Sequence, residues 1–391
     1  MFLYEPREDS ELLVNCVKKH ARGAVLDMGT GSGIQAAAAA AKKSVSRVVA
    51  VDVNPDAVSY CRKTIKNKKI TFLVSDLFSS LRAKRLRFDT IIFNPPYLPL
   101  ERGEDNEIAR ALAGGTQGYE VIERFLAAAK TFLNVNGHIL LIFSSLTHRE
   151  NVDEILTRHG FVWDVLEELP LFFERLYCYM IKMHPALEVA MWKGVCDITY
   201  LAHGKRGIIF RGSFGAKKTG KVAIKIKRKE SAAIGRLSNE ARWLRVLNNQ
   251  GIGPRLLFSG KDFLVYDFVE GDFIVDFIEK SSKEKIRKVL YDVFDQCFQL
   301  DKLGVTKEEM HHPLKHIIVH HGRPVLIDFE RMHTTRKPQN VTQFVQFVCA
   351  LKGLLEQKGF TVDVELLRSC AASYKKKRTR DELKKILLCL S

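Results

Sequence analysis

Short apolar runs alternate with helical spacing along the first half of the chain. Apolar runs of strand length cover residues 24–26, 47–51, 70–74, 88–93, 138–143, 161–167 and 175–182. Apolar residues at helical spacing predict helices over residues 8–20, 36–41, 118–130 and 151–159. Strands that alternate with helices in this order predict a mostly parallel sheet of seven strands with helices on its faces.

A polar side chain follows each of the first four predicted strands. These side chains are Asp27, Asp52, Asp76 and Asn94. Because the carboxyl ends of parallel strands meet at one edge of a sheet, we expect the four side chains to line that edge. Ligands of open α/β sheets bind there, so the sequence predicts a binding site at this edge.

The first predicted strand leads into a glycine turn. Gly29, Gly31 and Gly33 let the backbone approach a ligand closely, but their spacing lacks the last glycine of the dinucleotide fingerprint. Asp52 lies 19 residues after Gly33, where a carboxylate accepts hydrogen bonds from ribose hydroxyls. An acidic, glycine-lined pocket disfavours a pyrophosphate and suits a cationic nucleoside such as S-adenosylmethionine. A dinucleotide-dependent dehydrogenase is the competing interpretation.

The loop Asn94-Pro95-Pro96-Tyr97 follows the fourth predicted strand. Two successive prolines cannot donate backbone hydrogen bonds, so the strand stops and the loop is stiff. The carboxamide of Asn94 and the ring of Tyr97 suit a planar polar group such as an amide. A plain proline-rich turn is the structural alternative, whereas a dehydrogenase has no role for this loop.

Composition limits the class of protein. A length of 391 residues predicts two or three domains, and 46% hydrophobic residues are ample for their cores. The eight cysteines are scattered without a C-x-x-C pair, which favours a reducing interior over a zinc site or a disulfide framework. The first ten residues do not resemble a signal peptide, and no apolar run reaches membrane-spanning length. We therefore expect a cytoplasmic protein without a membrane partner.

Charge divides the chain into two unlike halves. Residues 1–183 carry 24 Lys and Arg against 22 Asp and Glu, and the remainder carries 38 against 23. This asymmetry predicts two domains with different partners. The basic half is a candidate for contact with RNA, a ribosome or a nucleotide, and a solvated basic surface is the alternative.

Six stretches of the first half, in this order, resemble the class I methyltransferases of the HemK type, and most closely the archaeal and eukaryotic release-factor glutamine methyltransferases. They are residues 4–10 (YEPREDS), 26–33 (LDMGTGSG), 52–55 (DVNP), 76–77 (DL), 94–97 (NPPY) and 113–118 (AGGTQG). The resemblance covers nearly all of residues 1–183. It implies a Rossmann-like α/β fold and an enzyme that depends on S-adenosylmethionine.

The resemblance also implies roles for individual residues. Gly29 and Gly31 would flank the methionyl part of the cofactor, Asp52 its ribose and Asp76 its adenine. The full cofactor-binding set would be Glu8, Asp9, Asp27, Gly29, Gly31, Asp52, Asp76 and Asn94. Asn94, Pro95 and Tyr97 would be the catalytic residues, since two oxygens accept the hydrogens of the acceptor amide and the ring packs against its plane.

The methyl acceptor has three candidates. The resemblance favours the glutamine of a GGQ loop in a class 1 translation release factor, and it brings a small zinc-binding activator subunit as a possible partner. Adenine amino groups and protein lysines are the alternatives, because similar loops serve enzymes with those acceptors. The near-neutral charge of this half and the pair Gly114-Gly115 favour a protein loop over DNA.

The second half carries motifs in the order of a protein-kinase N-lobe. Two strands flank a glycine turn at Gly204 and Gly207, Lys225 lies in a VAIK strand, and Glu240 lies on the following helix. Ala202 replaces the first loop glycine. Asp328 begins a D-F-E segment where the metal-binding D-F-G belongs. These motifs resemble RIO-type and related archaeal kinase-like proteins over residues 197–335.

The predicted catalytic loop departs from that pattern. His316 lies 12 residues before Asp328, where a metal-binding Asn belongs, and His311 lies where the catalytic Asp belongs. We therefore expect a nucleotide-binding pseudokinase or atypical ATPase rather than an ordinary kinase, with a bifunctional methyltransferase and kinase as the alternative. Its expected ligands are ATP and Mg²⁺, with the metal on Asp328.

The predicted organisation has two domains joined by a linker. Residues 1–183 form the methyltransferase domain and residues 184–196 the linker, where Pro185 restrains His184. Residues 197–391 form an α+β kinase-like domain with an N-lobe over about 197–270 and a C-lobe over about 271–391.

Overall fold

The computed structural model describes residues 5–99, 114–204, 207–215, 220–228 and 235–390. The chain divides into two compact units, Met1–Val189 and Ala190–Ser391. A short helix, Pro185–Trp192, occupies most of the segment that the sequence predicts as a linker.

The first unit alternates strands and helices, and all seven strands predicted from apolar runs are confirmed. The strands are β1 (Gly23–Met28), β2 (Val45–Asp52), β3 (Ile70–Val74), β4 (Phe88–Phe93), β5 (Leu133–Ser144), β6 (Phe161–Pro170) and β7 (Arg175–Met183). The α-helices in its described residues are α1 (Glu8–His20), α2 (Ile34–Ala40), α3 (Pro55–Thr64), α4 (Glu120–Ala129), α5 (Arg149–His159) and α6 (Pro185–Trp192).

These strands form one mostly parallel sheet in the order β3-β2-β1-β4-β5-β7-β6. The first five strands run parallel, and β7 runs antiparallel to both of its neighbours. Met28, at the end of central β1, pairs with Val51 of β2 and Phe93 of β4. The next residues along β2 and β4, Asp52 and Asn94, therefore flank the carboxyl end of β1.

Apolar side chains on α1 and α2 pack on one face of this sheet. Leu13 and Val17 of α1 and Ala36 and Ala39 of α2 are buried in one core cluster with Val25 of β1. The small alanine side chains bring α2 close to the sheet, so the loop before it stays near the strand ends. This packing fixes the position of the glycine turn between β1 and α2.

The second unit begins with an antiparallel sheet and ends in helices. Its described strands are β8 (Cys196–His203), β9 (Gly207–Phe214), β10 (Gly220–Lys227), β11 (Leu256–Ser259), β12 (Phe263–Asp267), β13 (Asp272–Phe273), β14 (Val305–Thr306), β15 (Ile317–His320), β16 (Arg323–Leu326) and β17 (His333–Thr334). Its described helices are α7 (Arg236–Asn248), α8 (Ile274–Lys280), α9 (Lys283–Lys302), α10 (Asn340–Ala350), α11 (Lys352–Gln357), α12 (Val364–Lys377) and α13 (Arg380–Leu388).

The larger sheet of this unit has the order β11-β12-β10-β9-β8, and α7 lies in sequence between β10 and β11. Glu240 and Leu244 on one side of α7 are buried, so the helix turns that side toward the interior. After β12 the chain enters the helical part, where α9 buries Val293, Phe294 and Leu300.

A buried carboxylate joins the helices of this part. Asp301 accepts hydrogen bonds from the Asn340 Nδ2 at 2.7 Å and from the Tyr374 hydroxyl at 3.0 Å. Burial raises the pKa of Asp301, and the hydrogen bonds from Asn340 oppose that rise. The contact links α9 to α10 and α12. Among the described helices of the chain, none is both long enough and apolar enough to cross a membrane.

Candidate functional site

The glycine turn after β1 forms the first wall of the site. Gly29, Gly31 and Gly33 have φ values of 65°, 50° and 80°, which favour glycine. A Cβ on Gly33 would meet Ile65 Cδ1, the end of a flexible side chain, at 2.4 Å, so the positive φ is the stronger reason for glycine there. A Cβ on Gly29 or Gly31 would meet no described atom closer than 3.6 Å, so the space beside their backbone is open to a ligand.

Asp27 lies beneath this turn and holds it in shape. Its Oδ2 accepts hydrogen bonds from the Thr30 hydroxyl at 2.6 Å and from the Ala36 N–H at 3.1 Å. The side chain is buried, and burial raises the pKa of Asp27 to about 7. These contacts place Asp27 within the loop's own hydrogen bonding, so its predicted cofactor contact stays a prediction.

Asp52 lies beside the same turn, as the sheet register requires. Its Oδ2 accepts a hydrogen bond from the Gly31 N–H at 2.8 Å, and its Oδ1 accepts one from the Asn54 N–H at 2.9 Å. Each carboxylate oxygen has a second lone pair. A ligand with two neighbouring hydroxyl groups would find both acceptors already oriented.

Asp76 follows β3 and is more exposed than Asp52. Its Oδ2 forms an ion pair with Arg124 Nη2 at 2.9 Å, and both side chains are more than half exposed. Such pairs are weak in water, so the ion pair leaves Asp76 accessible to a ligand. It lies two residues after Val74, the end of β3 that pairs with Asp52, and therefore at the predicted edge.

Asn94 lies at the end of β4 and is held by a residue of α1. The Asn94 Nδ2 donates a hydrogen bond to Asp9 Oδ2 at 2.8 Å. The Asn94 Oδ1 is buried and lacks a hydrogen-bond partner among the described residues. A buried carbonyl oxygen without a donor is costly, so this atom is an acceptor prepared for a ligand N–H.

The rest of the proline loop is supported from two directions. The Tyr97 hydroxyl lies 3.4 Å from the same Asp9 oxygen. On the other side, a Cβ on Gly114 would meet the Pro96 carbonyl oxygen at 2.5 Å, and one on Gly118 would meet the Tyr97 carbonyl oxygen at 2.5 Å. Two glycines therefore allow a second backbone segment to lie directly against the loop.

Two contacts of this site could not be predicted from the sequence. Asp9 is buried against Asn94, whereas Glu8 is exposed, and the predicted cofactor contact of both residues stays a prediction. Gly114 packs on the backbone of the proline loop. No sequence signal joins Asp9 to Asn94, because the two residues are 85 positions apart. Residues 100–113 lie outside the described parts of the chain.

The side chains at this edge offer acidic and neutral oxygen atoms as hydrogen-bond acceptors. Asp52, Asp76 and Asn94 offer oxygen atoms beside the bare backbone of Gly29 and Gly31. Acceptors of this kind suit a ligand that donates hydrogen bonds and carries positive charge. The residues therefore fit S-adenosylmethionine, which carries a sulfonium, ribose hydroxyls and an adenine amino group.

The second unit brings its predicted lysine and carboxylates together. Lys225 Nζ lies 2.8 Å from Glu240 Oε2, 3.3 Å from Asp328 Oδ1 and 2.8 Å from Glu330 Oε1. The contact with Glu240 was expected from the VAIK pattern. Glu330, which replaces the glycine of a D-F-G segment, was not expected to contact the lysine. Oxygens of Glu240, Asp328 and Glu330 also lie close enough together to hold a metal ion.

A second buried lysine, Lys307, lines a small pocket with Asp328 and Glu330. Lys307 is 1% exposed, and its Nζ donates a hydrogen bond to the Asp328 carbonyl oxygen at 2.8 Å. Its Nζ also lies 3.3 Å from His316 Nδ1, while His316 Nε2 lies 3.4 Å from Glu309 Oε2. Burial lowers the pKa of Lys307 to about 8 and also lowers the pKa of His316.

Of the two histidines in the predicted catalytic loop, His316 lines this pocket and His311 is exposed. Glu309 lines the pocket and has a φ of 71°, so a carboxylate is present although residues 310–316 contain none. Asp328 also has a positive φ, 62°, a conformation that a non-glycine residue adopts at a cost.

The predicted glycine loop of this unit is described at its two ends. The Gly204 N–H donates a hydrogen bond to the Gly207 carbonyl oxygen at 2.9 Å, and residues 205–206 lie outside the described ranges. At the far end of the unit, Lys375 and Lys376 are exposed in the last turn of α12. The predicted contact of this basic half with RNA or a ribosome stays a prediction.

The first unit is similar in sequence to known methyltransferases. The family model of the methyltransferase small domain matches residues 7–162. A putative protein N5-glutamine methyltransferase of Methanocaldococcus jannaschii is 36% identical over 178 residues, covering 44% of this chain and 88% of that protein. The methyltransferase HEMK2 of Mus musculus is 32% identical, covering 40% of this chain and 79% of that protein.

Bacterial relatives match over a smaller share of their length. The release factor glutamine methyltransferase of Geobacter sulfurreducens is 32% identical, and the match covers 40% of this chain and 58% of that enzyme. Among solved structures, a chain of the E. cuniculi Mtq2–Trm112 complex is 25% identical with a TM-score of 0.38, and the match covers 47% of this chain and 99% of that chain.

The carboxylates around Lys225 predict a pH-dependent loss of stability when the lysine is removed. Lys225→Met leaves Glu240 buried without its cation, which costs about 3–5 kcal/mol of unfolding free energy at neutral pH. Burial already raises the pKa of Glu240, and losing the lysine raises it further. A carboxyl with a raised folded-state pKa stabilises at low pH and loses that contribution as pH rises. The variant should therefore be weakest at pH 8 and recover toward pH 5.

Urea unfolding followed through buried Trp243 measures this effect, with Trp163 and Trp192 replaced by Phe to isolate the signal. Lys221→Met is the matched control, because Lys221 lies on the same strand but is 55% exposed in its pair with Glu270. We expect the control to lose less than about 1 kcal/mol. Equal losses in both variants, or a loss independent of pH, would contradict the buried carboxylate cluster.

Proposed function

The chain belongs to the family of protein N5-glutamine methyltransferases, and on that premise we propose that it methylates the side-chain amide of the glutamine in the GGQ loop of a class 1 translation release factor. The enzyme is a methyltransferase that depends on S-adenosylmethionine. The similarity to bacterial release factor glutamine methyltransferases supports this acceptor.

One observation carries the proposal: the Oδ1 of Asn94 is buried and has no hydrogen-bond partner within the described parts of the chain. A primary amide has two N–H donors on one planar nitrogen. Asn94 Oδ1 accepts one of them, and the Pro95 carbonyl oxygen is the expected acceptor of the other. Tyr97 supplies a ring for the amide plane. A nucleophile with these donors would satisfy an acceptor that the fold leaves open.

The residues act by positioning rather than by strong base catalysis. An amide nitrogen is a poor nucleophile because its lone pair is delocalised. Acceptance of both amide hydrogens fixes the nitrogen and increases its electron density. When bound, S-adenosylmethionine supplies an electrophilic methyl group. Holding the nitrogen in line with that methyl group supplies much of the rate enhancement, and the methylated amide then loses its extra proton readily to water.

Asn94→Ala tests this mechanism. The variant removes the acceptor oxygen but no residue that faces the ribose, so we expect methyl transfer to fall by about 1,000-fold. The affinity for S-adenosylmethionine should change by less than about three-fold, so that the variant separates cofactor binding from methyl transfer. Tritium transfer from labelled cofactor to the release factor measures the first, and calorimetric titration of the cofactor measures the second.

Asn67→Ala serves as the control, since Asn67 is an exposed turn residue of the same unit. It should transfer methyl groups at the rate of the natural chain. Unchanged transfer in Asn94→Ala would remove the basis of the proposal.

Asp9 is proposed as a positioning residue for Asn94. The carboxamide group presents its oxygen to the acceptor only while its nitrogen donates to Asp9 Oδ2. Asp9→Ala permits the amide to rotate, so we expect kcat to fall by about 100-fold. The KM for the cofactor should stay nearly constant. Asp9→Asn should recover part of the rate, because its side-chain oxygen still accepts the hydrogen bond.

Steady-state kinetics of these variants separate two roles for Asp9. A rise in the KM for the cofactor with unchanged kcat would instead show that Asp9 binds the cofactor directly. Glu11→Ala is the control on the same helix, because Glu11 is exposed.

A partner subunit is proposed for the free edge of the sheet. β3 is an edge strand, so its outward backbone groups can pair with a strand of another chain. Val74 at its end is 47% exposed, and neighbouring Val53, after β2, is 67% exposed. We propose that a small zinc-binding activator subunit pairs with this edge and covers these side chains.

Val74→Pro removes a backbone donor that faces away from β2, since the N–H of the next residue, Ser75, is the one that bonds to the Asp52 carbonyl oxygen; it should abolish co-purification with the organism's own zinc-binding subunit. Val74→Asp tests the apolar contact without changing the backbone, and it should weaken binding. Val135→Asp is the control at another exposed valine, 80% accessible on β5. Full binding by both β3 variants would place the subunit elsewhere.

For the second unit we propose a kinase-like nucleotide-binding role. The support is the sheet order, the position of α7 and the contacts of Lys225 with Glu240 and Asp328. Asp328 would hold Mg²⁺, since oxygen ligands suit that ion. Titration of the full chain with ATP and Mg²⁺ tests this role, and an absence of saturable binding contradicts it.

A further inference from the structure

The turn between β6 and β7 presents two adjacent phenylalanines to solvent. Phe172 is 92% exposed and Phe173 is 86% exposed. Their rings contact each other edge to face, with ring centroids 4.6 Å apart. Apolar surface of this size is unfavourable in water, and exposed aromatic side chains are typical of surfaces that bind other proteins.

The turn itself does not call for phenylalanine. The Leu171 N–H donates a hydrogen bond to the Glu174 carbonyl oxygen at 2.8 Å, which closes a tight turn. Short hairpin turns favour glycine, asparagine and aspartate because of the backbone conformations that they require. Leu171 packs against the core of the first unit, whereas Phe172 and Phe173 point away from it. The two rings therefore add little to the stability of the fold.

The turn lies at the same edge of the sheet as the proline loop. β7 runs antiparallel to β5, and Ser144, the last residue of β5, pairs with Leu176 at the start of β7. Asn94 follows β4, the other neighbour of β5, at the same end. Across the sheet, two strand spacings or about 10 Å separate β4 from β7. The two phenylalanines and the proposed acceptor site therefore belong to one side of the unit.

Direct contacts connect the proline loop with this turn. A Cβ on Gly118 would meet the Tyr97 carbonyl oxygen at 2.5 Å and Thr147 Cγ2 at 3.0 Å, so the Gly118 backbone lies between the two. Thr147 belongs to the short turn that follows β5. In that same turn, Ser145 Oγ accepts a hydrogen bond from the Arg175 N–H at 3.0 Å. The surface from the loop to the start of β7 is thus continuous.

A protein that places a glutamine against Asn94 must contact more than the proline loop. A stable interface covers about 800 Å² of each partner, a patch about 30 Å across. Such a patch extends well beyond the two strand spacings that separate the loop from β7. Leu146, in the turn after β5, is 41% exposed and adds to the apolar surface on this side. The area that the glutamine itself cannot supply is therefore available beside the site.

We propose that Phe172 and Phe173 dock the protein substrate, by packing into an apolar depression of the release factor beside its GGQ loop. This inference rests on the proposed function and names the surface that recognises the substrate. The Glu174 Oε2, at the end of the same turn, is buried without a hydrogen-bond partner in the described structure, so it offers an acceptor to an N–H of that partner.

The release factor and the zinc-binding subunit would then occupy different surfaces. In the sheet order, β3 lies on one side of β4 and the β6–β7 pair on the other. A change at the phenylalanines should therefore affect the substrate and spare the subunit, which makes co-purification of the subunit an independent measurement.

The test compares an intact substrate with a small one. The full chain, with the zinc-binding subunit present, methylates either the intact release factor or a short synthetic peptide that contains the GGQ sequence. In the double variant Phe172→Ser, Phe173→Ser, kcat/KM for the release factor should fall by about 10- to 100-fold, as for the loss of aromatic hot-spot residues. The loss should lie in KM, with kcat nearly unchanged, and kcat/KM for the peptide should change by less than about two-fold.

Two further variants serve as controls. Val135→Ser replaces another exposed apolar side chain, 80% accessible near the start of β5 and hence at the opposite edge of the sheet, and it should methylate both substrates at the rate of the natural chain. Phe172→Leu, Phe173→Leu keeps apolar side chains and should recover part of the affinity for the release factor. Calorimetric titration with S-adenosylmethionine confirms that each variant is folded.

The outcomes separate this inference from the proposed function. An unchanged KM for the release factor in the double serine variant overturns the inference alone. Equal losses with release factor and peptide, or loss of the zinc-binding subunit, would assign the phenylalanines to another role and overturn it as well. If the peptide is not methylated by the natural chain, the kcat and KM of the intact factor decide. Absence of transfer from the natural chain to either substrate refutes the proposed function together with the inference.

Discussion

The hydrogen bond between Asn94 and Asp9 determines what the first unit can do. In it the Asn94 Nδ2 donates to Asp9, while the Asn94 Oδ1 is buried without a donor among the described residues. The sheet sets up this contact, because β4 ends beside β1 and α1 packs on the same sheet. Stiff prolines keep the loop from relaxing toward another partner. The glycine turn and the Asn94 loop thus meet at one sheet edge.

Much of this arrangement could be predicted from the sequence. Apolar runs and glycine spacing are local patterns, and they located all seven strands, the turn at Gly29 and the loop at Asn94. The register of parallel strands then brings Asp52 and Asn94 to either side of β1. The contact with Asp9 could not be predicted in this way, because it joins residues 85 positions apart through helix packing. The same holds for Gly114, whose need for glycine arises from a backbone that approaches from elsewhere in the chain.

In the second unit, the ionic contacts depend on how the folded chain arranges its charged side chains. Motif order predicts that Lys225 pairs with Glu240, and the structure places Asp328 beside the lysine as well. Spacing does not show that Glu330 joins them, nor that Lys307 lies buried nearby without a carboxylate partner in the described structure. Motif spacing also puts His311 where a kinase has its catalytic Asp. In the structure Glu309 lines the pocket, and its backbone has a positive φ that the spacing does not reveal. What a buried lysine can bind depends on which of its N–H donors already have partners, and the sequence alone does not show this.

The central claim is that the first unit presents a site for a protein amide. Its most direct test is incubation of the full chain with methyl-labelled S-adenosylmethionine, the release factor of its own cell and the zinc-binding subunit, followed by mass spectrometry of the product. The account predicts one methyl group on the side-chain nitrogen of the GGQ glutamine. A methyl group on a lysine or on nucleic acid, with an unmodified glutamine, would contradict it.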